Sequence, residues 1–320
     1  MPQNEPIELK DLKNIFVGSV LPDIMSRKKT PELPTGLKPL DDVIWGLHRK
    51  QVTVISGRPG EAKTSLAVNI AFHLANIGKK VLYCSLEMSA EEIIERILCN
   101  VCQIDGEILR RGDLPEDFEA KEKTFGVLLD MINMKIIDSR GYDHKELLEI
   151  VSAFKKSDRP DIVFVDHIQK ISSIGFANKQ DAISEYALTA ERIARKENLS
   201  MVIVSQLNRE SVKGKGMRPS IDQLKGSGTL EEGAATVLMN WWKTKDAEKD
   251  PSERDFRVIV GKQRHGHSDI EVPLQFNASQ NRFFWSTENS WKELKEWKQS
   301  DNPSKPFGVE ASFGTSNHSA

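Results

Sequence analysis

Short apolar runs, separated by patterns of helical spacing, recur through the middle of the chain. Six of these runs predict strands, at residues 52–56, 81–85, 135–138, 162–166, 201–205 and 237–240. Because strands that alternate with helices pair in parallel, they predict an α/β fold with a mostly parallel, twisted sheet flanked by helices. Three later runs, "FRVIVGKQR", "IEVPLQFN" and "RFFWS", have no helix between them. They predict antiparallel strands added at one edge of the sheet.

The first 31 residues follow a different pattern. Apolar positions at helical spacing in "IELKDLKNIF" predict a short amphipathic helix with Ile7, Leu9, Leu12, Ile15 and Phe16 on one side. The pattern stops before "SRKKTPELPTG", a basic linker marked by prolines. A single amphipathic helix needs a surface that covers its apolar side, either on its own domain or on a neighbouring subunit. We therefore divide the chain into an N-terminal arm, residues 1–31, and one α/β domain, residues 32–287.

Residues 288–320 form the third part, a C-terminal tail. The segment "WKELKEWK" places Trp291, Leu294 and Trp297 on one side of a short helix, and the polar remainder predicts disorder. The tryptophan side either binds a partner or packs back on the α/β domain.

Composition narrows the class of protein only slightly. The chain of 320 residues is 38% hydrophobic and 29% charged, and it contains no apolar run long enough to span a membrane. Its N-terminus lacks the apolar core of a signal peptide, and its three cysteines argue for a reducing compartment, so we expect a cytoplasmic protein. Cys99 and Cys102 form a CxxC, but their helical setting predicts positions that face the core. The net charge of −2 gives no support for nucleic-acid binding and does not exclude a local basic channel.

The segment "GRPGEAKTS", residues 57–65, carries the clearest chemistry. It lies between a predicted strand and a predicted helix, the setting in which a glycine-rich loop holds phosphate. Lys63 is placed to reach the terminal phosphates and Thr64 to ligate Mg²⁺. The second glycine of the usual spacing is replaced by Ala62. The sequence predicts an ATP-binding loop at Gly57, Arg58, Pro59, Gly60, Glu61, Ala62, Lys63, Thr64 and Ser65.

Other strand ends supply the polar groups that such a loop requires. Asp166 ends the apolar run "DIVFVD", where a carboxylate can hold Mg²⁺ through water; alone, it would be an ordinary strand-end aspartate. Glu87 in "YCSLEMS" and Gln206 in "VIVSQLNR" follow two further strands. Because ligands bind at the carboxyl ends of parallel strands, both are expected beside the phosphates. For Glu87, the alternative is a glutamate that simply favours a helix start.

The order of these segments resembles a known family. "SLEMS", "VDHIQ", "VSQLNR" and "VGKQRHG" follow "PTGLKPLDDVIWGL" and the loop. Together they resemble the RecA-like motor domain of DnaB-type replicative DNA helicases, over about residues 32–285. The segment "GKQRHG" after "SLEM" is specific to that family, whereas the related recombinase and clock-type ATPases share only the more general parts.

The resemblance implies a RecA-like P-loop NTPase that assembles as a homo-oligomer, a hexameric ring around single-stranded DNA, with ATP between subunits. Glu87 matches the glutamate that activates water, and Gln206 matches the sensor of the γ-phosphate. Lys262 and Arg264 match the two cations inserted into the neighbour's site, where an arginine finger stabilises developing charge. From the residues alone, this pair could equally be surface cations.

DNA contacts are expected in and before "QLKGSGTLEE". In the family, a short segment containing Ser-Gly touches the DNA backbone, which implies contacts at Lys225, Gly226, Ser227 and Gly228. Upstream, a glycine-containing loop adds Lys213, Lys215 and Arg218, and residues 209–225 hold five basic and two acidic residues. The alternative for any one such loop is solvated surface.

Three departures from the family pattern matter. The Cβ of Ala62 crowds the phosphate or disturbs a backbone angle that glycine tolerates better, which predicts weaker nucleotide binding with hydrolysis retained. Gly233 and Ala235 stand where the family usually has acidic residues, without a predicted consequence. The family's N-terminal helical domain, which meets primase, has no counterpart in the 31-residue arm, so we do not expect primase to be recruited by the usual route; a primase or a helicase loader is still a candidate partner. This reduced layout fits a phage or mobile-element helicase, working in a bacterial or phage-infected cell.

Three functions therefore remain open. The first is an ATP-driven helicase or translocase on single-stranded DNA, moving 5′ to 3′ as the resemblance implies. The second is a RecA-type or clock-type ATPase that remodels DNA or protein without unwinding. The third is a hydrolysis-deficient ring that clamps DNA or loads another helicase.

Overall fold

The computed structural model describes residues 11–26, 30–138, 144–207, 218–243 and 256–285. The strands are β1 (Val52–Gly57), β2 (Val81–Ser85), β3 (Met134–Ile137), β4 (Ile162–Asp166), β5 (Ser200–Gln206), β6 (Thr236–Trp242), β7 (Phe256–Gln263), β8 (Ile270–Asn277) and β9 (Arg282–Phe284). All six predicted early strands are present as β1–β6, with ends shifted by at most two residues. The three later runs form β7, β8 and β9.

The strands form one nine-stranded sheet in the order β3–β2–β4–β5–β1–β6–β7–β8–β9. Strands β1 to β6 pair in parallel, and β7, β8 and β9 continue the sheet in antiparallel pairs. The predicted fold class is therefore confirmed. Every residue of β1, β2 and β4 is buried, as expected for central parallel strands covered on both faces.

Helices cover both faces of this sheet. They are α1 (Leu12–Ile15), α2 (Leu21–Ser26), α3 (Lys38–Ile44), α4 (Lys63–Asn76), α5 (Ala90–Cys102), α6 (Gly106–Arg111), α7 (Phe118–Met131), α8 (His144–Ala153), α9 (Lys179–Lys196) and α10 (Gly228–Gly233). A π-helical turn at Phe16–Val20 joins α1 to α2, and 3₁₀ turns lie at Ile168–Lys170 and Ile221–Ser227.

Two apolar layers result from this arrangement. Side chains of α3, α4 and α5 pack with one face of the sheet, including Ile55 of β1 and Phe164 of β4. Side chains of α8, α9 and α10 pack with the other face, including Val54 of β1 and Val165 of β4. Neighbouring residues of one strand thus enter opposite layers, as the pleat requires.

The arm is helical from Leu12 to Ser26, further than the predicted helix, and most of its described apolar side chains are exposed. Leu12 is 84% exposed and Met25 is 79% exposed. The arm helix therefore lacks, within the described part of the chain, the surface that its apolar side requires. Five positions of the predicted arm and tail helices lie outside the described residues: Ile7, Leu9, Trp291, Leu294 and Trp297.

The CxxC at residues 99–102 lies on the side of α5 that faces the core. Cys99 and Cys102 are buried and unbridged, and burial raises the pKa of the Cys99 thiol to about 11. The burial of both cysteines confirms the prediction that they face the core. A buried neutral thiol is also a poor metal ligand. Among the helices that the structure describes, none is both long and apolar enough to cross a membrane.

Candidate functional site

The loop of residues 57–65 connects β1 to α4 at the carboxyl end of the strand. Gly60 and Ala62 both adopt left-handed backbone conformations, with φ of 73° and 50°. Glycine enters this region freely, whereas for a residue with a Cβ it costs about 1–2 kcal/mol. Ala62 is the N-cap of α4, and its side chain packs against the apolar layer beneath the loop. The expected disturbance at Ala62 is therefore visible as backbone strain.

Internal hydrogen bonds hold the loop in shape. The buried carboxylate of Glu61 accepts from the backbone N–H of Arg58 at 2.7 Å, and Asn240 of β6 donates to the Glu61 carbonyl at 2.9 Å. The ammonium of Lys63 donates to the Arg58 carbonyl at 2.9 Å. These contacts hold the loop in one conformation and keep the buried Lys63 ammonium against it, where loop N–H groups and a cation suit phosphate.

Asp166 lies at the end of β4 and is buried beside the start of α4. The Thr64 hydroxyl donates to its Oδ1 at 3.2 Å, and the Tyr83 hydroxyl donates to its Oδ2 at 2.9 Å. Desolvation by burial raises the pKa of Asp166, while the hydrogen bonds from Tyr83 and Thr64 oppose that shift. A buried carboxylate next to a hydroxyl is an oxygen-donor set of the kind that Mg²⁺ uses.

Glu87 follows β2 and lies before the N-cap Ser89 of α5, outside the helix. The Nδ1 of His167 contacts its Oε2, and the ammonium of Lys170 lies 3.9 Å from its Oε1. The side chain of Glu87 is 43% exposed, so water can reach it. A glutamate that only favours a helix start does not require these contacts with His167 and Lys170, so they support a further role for Glu87.

Gln206 ends β5, and its register partner on β1 is Gly57, the first residue of the loop. The side chain of Gln169 brackets Gln206: its Oε1 accepts from the Gln206 N–H at 3.1 Å, and its Nε2 donates to the Gln206 carbonyl at 3.2 Å. It also donates to the Ser205 hydroxyl at 2.8 Å. Gln169 is absent from the predicted site, although the polar "DHIQ" after an apolar strand was the available signal.

The strands β2, β4, β5 and β1 are neighbours in the sheet, so their carboxyl ends meet along one line. We call this line, with Lys63, Thr64, Glu87, Asp166 and Gln206, the carboxyl edge. The structure brings all five predicted residues together there. Their chemistry fits a nucleoside triphosphate with Mg²⁺: loop N–H groups and a lysine for phosphates, and a hydroxyl and a carboxylate for the metal.

Lys262 and Arg264 lie at the opposite end of the sheet. Lys262 donates to the carbonyls of Glu231 and Glu232 at 2.6 and 3.1 Å, and Arg264 donates to the Gly233 carbonyl at 3.4 Å. Both cations therefore rest on the C-terminal carbonyls of α10, where the helix dipole favours positive charge.

The sheet register fixes how far these cations are from the loop of their own chain. The Arg264 N–H donates to the Ala235 carbonyl at 3.0 Å, and the Ala235 N–H donates to the Val52 carbonyl at 2.8 Å. Arg264 is thus level with the first residue of β1, whereas the loop begins at Gly57. Five residues of strand span roughly 17 Å, so Arg264 lies about that far along β1 from the start of the loop. We call this end, with Lys262 and Arg264, the amino edge.

The predicted DNA-contact residues are described only in part. Lys225, Gly226 and Ser227 lie in the 3₁₀ turn that leads into α10, and Gly228, the first residue of α10, is exposed. Lys213 and Lys215 lie outside the described residues.

Arg218 is engaged within the chain. Its guanidinium pairs with Asp269 at 2.7 Å and with Glu271 at 2.6 Å. A phosphate contact at Arg218 would have to displace two carboxylates, so this residue is the least favourable of the predicted DNA contacts.

A polar cluster that sequence reasoning missed ties α4 to the turn before β9. The Ser65 hydroxyl donates to the Asn281 side chain at 3.1 Å, and the Arg96 guanidinium donates to both groups at 3.1 Å. Asn69 of α4 donates to the Asn281 carbonyl at 2.7 Å. The cluster unites residues far apart in sequence, which no local pattern reveals.

The fold and the carboxyl edge together define a RecA-like P-loop ATPase domain. Residues 32–284 match the family model described as the DnaB-like helicase C-terminal domain. The chain belongs to this family of replicative DNA helicases.

Curated relatives agree with that assignment. The chain is 33% identical over 256 residues to a probable plasmid replicative DNA helicase of Chlamydia psittaci, covering 78% of this chain and 55% of the relative. It is 30% identical to the replicative DNA helicase DnaB of Buchnera aphidicola subsp. Baizongia pistaciae, with coverage of 78% and 54%. The chain thus spans about half the length of these relatives.

Solved structures give the same fold. A structure described as a DnaB-like replicative helicase and its interactions with primase superposes with a TM-score of 0.78 at 23% identity, over 86% of this chain and 68% of that one. A KaiC-like protein of Pyrococcus horikoshii reaches a TM-score of 0.50 at 18% identity, over 81% and 98%. The fold is therefore closer to the helicase than to this KaiC-like protein.

Proposed function

We propose that this chain is the ATP-driven motor of a replicative DNA helicase, which hydrolyses ATP with Mg²⁺ and moves 5′ to 3′ along single-stranded DNA. The observation that supports this most is the grouping of Lys63, Glu87, Asp166 and Gln206 at the ends of four adjacent strands. Membership of the helicase family supports the same conclusion.

Each residue of the carboxyl edge has a role in this proposal. Lys63 and the loop N–H groups would hold the phosphates, and Thr64 and Asp166 would hold Mg²⁺. Glu87 accepts the proton of the attacking water, and Gln206 senses the γ-phosphate. When bound, Mg²⁺ neutralises charge that develops on the transferred phosphoryl group.

The position of the amino edge supports the proposal of a ring. Arg264 is too far from the loop of its own chain to serve it, so its proposed partner is the nucleotide of a neighbouring subunit. A neighbouring subunit could also cover the exposed apolar side of the arm helix. We propose a hexameric homo-oligomer in which the arm docks on the adjacent subunit and both finger cations reach across the interface.

DNA is proposed to contact the segment that precedes α10. Lys225 supplies a cation for phosphate, and Gly226 and Gly228 allow close approach of the backbone, with Ser227 between them. A primase or a helicase loader remains a proposed further partner, because the helicase structure of similar fold is described together with its interactions with primase.

The test is steady-state ATP hydrolysis with Mg²⁺, with and without single-stranded DNA, beside Glu87→Gln. We expect DNA-stimulated hydrolysis that falls by about 10²-fold or more in the variant, because the general base is lost. ATP binding should be retained, since the loop is unchanged.

Two other outcomes would point elsewhere. DNA binding without hydrolysis at millimolar ATP would favour a clamp or helicase loader, which the strained Ala62 makes a specific alternative. Hydrolysis without directional unwinding of a forked duplex would favour a RecA-type or clock-type ATPase.

A further inference from the structure

His167 has a backbone conformation that its residue type disfavours. It lies directly after Asp166 with φ of 72° and ψ of 66°, in the left-handed region. That region costs a residue with a Cβ about 1–2 kcal/mol, and such strain persists where surrounding contacts impose it. The strain calls for an explanation in what the side chain does.

The left-handed turn sends neighbouring side chains to different parts of the carboxyl edge. Asp166 meets Thr64 and Tyr83, while the Nδ1 of His167 meets Oε2 of Glu87. The His167 side chain is only 13% exposed, against 43% for Glu87. The more buried imidazole therefore restrains the more exposed carboxylate.

The two oxygens of Glu87 have different surroundings. Oε2 carries the contact with His167, whereas Oε1 lies 3.9 Å from the exposed Lys170 ammonium, which is beyond hydrogen-bond distance. One oxygen is thus anchored, and the other has no hydrogen bond among the described residues and belongs to a side chain that solvent reaches. This is the arrangement that a positioned general base needs.

We propose that His167 is a positioning residue that donates from Nδ1 to Glu87 and fixes the carboxylate for water activation. The inference rests on the proposed function and adds a residue to it. Because no hydrogen bond or ion pair joins His167 to the loop among the described residues, its loss should lower kcat and leave the KM for ATP unchanged.

Three substitutions separate the hydrogen bond from the backbone strain. His167→Asn tolerates the left-handed region and keeps a donor, Nδ2, near the place of Nδ1. His167→Asp has the same shape and the same backbone tolerance, but its carboxylate only accepts and repels Glu87. His167→Gly relieves the strain and has no side chain. DNA-stimulated ATP hydrolysis and thermal unfolding are measured for each.

We expect His167→Asn to retain kcat within about threefold, and His167→Asp and His167→Gly to lose about tenfold or more, with KM for ATP within about twofold. In a Glu87→Gln background, His167→Gly should cause no further loss.

Equal kcat in wild type and His167→Gly would overturn the inference, as would a rise in KM that parallels the loss of kcat. Wild-type protein without hydrolysis would overturn the proposed function and this inference together. Hydrolysis in wild type that is indifferent to all three substitutions would overturn the inference alone.

Discussion

The two ends of the sheet carry the two halves of the predicted chemistry, and they are built differently. At the carboxyl edge, side chains bind one another: Thr64 and Tyr83 hold Asp166, and His167 holds Glu87. At the amino edge, Lys262 and Arg264 donate to backbone carbonyls of α10, and the Glu191 carboxylate lies 3.9 Å from the Arg264 guanidinium. One edge is a network of partners, and the other presents two cations.

This difference shows which parts of the site one chain can complete. The carboxyl edge holds the side chains that we propose bind phosphate and Mg²⁺ and activate water. The amino edge holds cations whose register places them roughly 17 Å along β1 from the loop of the same chain. We therefore propose that a complete catalytic centre takes one edge from each of two chains, so that assembly is a condition of activity.

The largest predicted effect is at the amino edge. Arg264→Ala should lower DNA-stimulated kcat by about 10³-fold, because an arginine finger supplies charge to the transition state. ATP binding should change little, since the loop is intact. Arg264→Lys should fall between the two, because lysine keeps the charge and loses the planar fork. Steady-state kinetics and nucleotide binding measure both.

Arg192→Ala is the matched control, since Arg192 is an exposed arginine of α9 paired with Glu185. Its kcat should equal that of wild type. If Arg264→Ala weakened ATP binding in the isolated subunit by the same factor as kcat, Arg264 would belong to the site of its own chain and the comparison of edges would fail.

A smaller effect is expected at the carboxyl edge from Tyr83→Phe. Loss of the hydroxyl leaves Asp166 Oδ2 without its donor in a buried site, which should lower the free energy of unfolding by about 1–2 kcal/mol. It also removes a contact that lowers the Asp166 pKa, so that pKa should rise. Because protonated Asp166 cannot hold a cation, the acid limb of hydrolysis should move to higher pH.

The pH profile of kcat and a Mg²⁺ titration measure this. Tyr186→Phe serves as control, because Tyr186 is equally buried but packs in the other apolar layer. If the acid limb does not move in Tyr83→Phe, Tyr83 contributes only to packing and does not support Asp166.

The smallest predicted effect is that of Ala62→Gly. Glycine relieves the left-handed strain at the N-cap of α4, so the free energy of unfolding should rise by about 0.5–1 kcal/mol and ATP should bind more tightly. Ala67→Gly in the interior of the same helix should instead destabilise by about 1 kcal/mol. Chemical denaturation and ATP titration distinguish the two variants. Unchanged ATP affinity in Ala62→Gly would contradict the prediction that Ala62 weakens ATP binding.

Much of this organisation was predictable because it is local. Apolar runs predicted the strands to within two residues, and strand-end polar residues indicated Glu87, Asp166 and Gln206. The glycine missing at Ala62 indicated a position of backbone strain, because the usual spacing has glycine there.

Other features depend on contacts that no local pattern encodes. Gln169, which follows β4, hydrogen-bonds to Gln206 at the end of the neighbouring strand β5, and Arg96 donates to Asn281 although the two are far apart in sequence. The carboxylates that pair with Arg218 come from a distant turn and strand. The local positive charge therefore predicted a cation free for DNA, whereas Arg218 is already paired. Such pairings follow from sheet order, which the sequence pattern left open.

The central claim is that the carboxyl edge of one chain works with the amino edge of another. The most direct test mixes Arg264→Ala protein with Glu87→Gln protein, each inactive alone. Some interfaces in mixed rings pair an intact Glu87 with an intact Arg264, so ATP hydrolysis should reappear on mixing. If the mixture stays as inactive as its two components while forming mixed rings, the two edges do not act across subunits and the account is wrong.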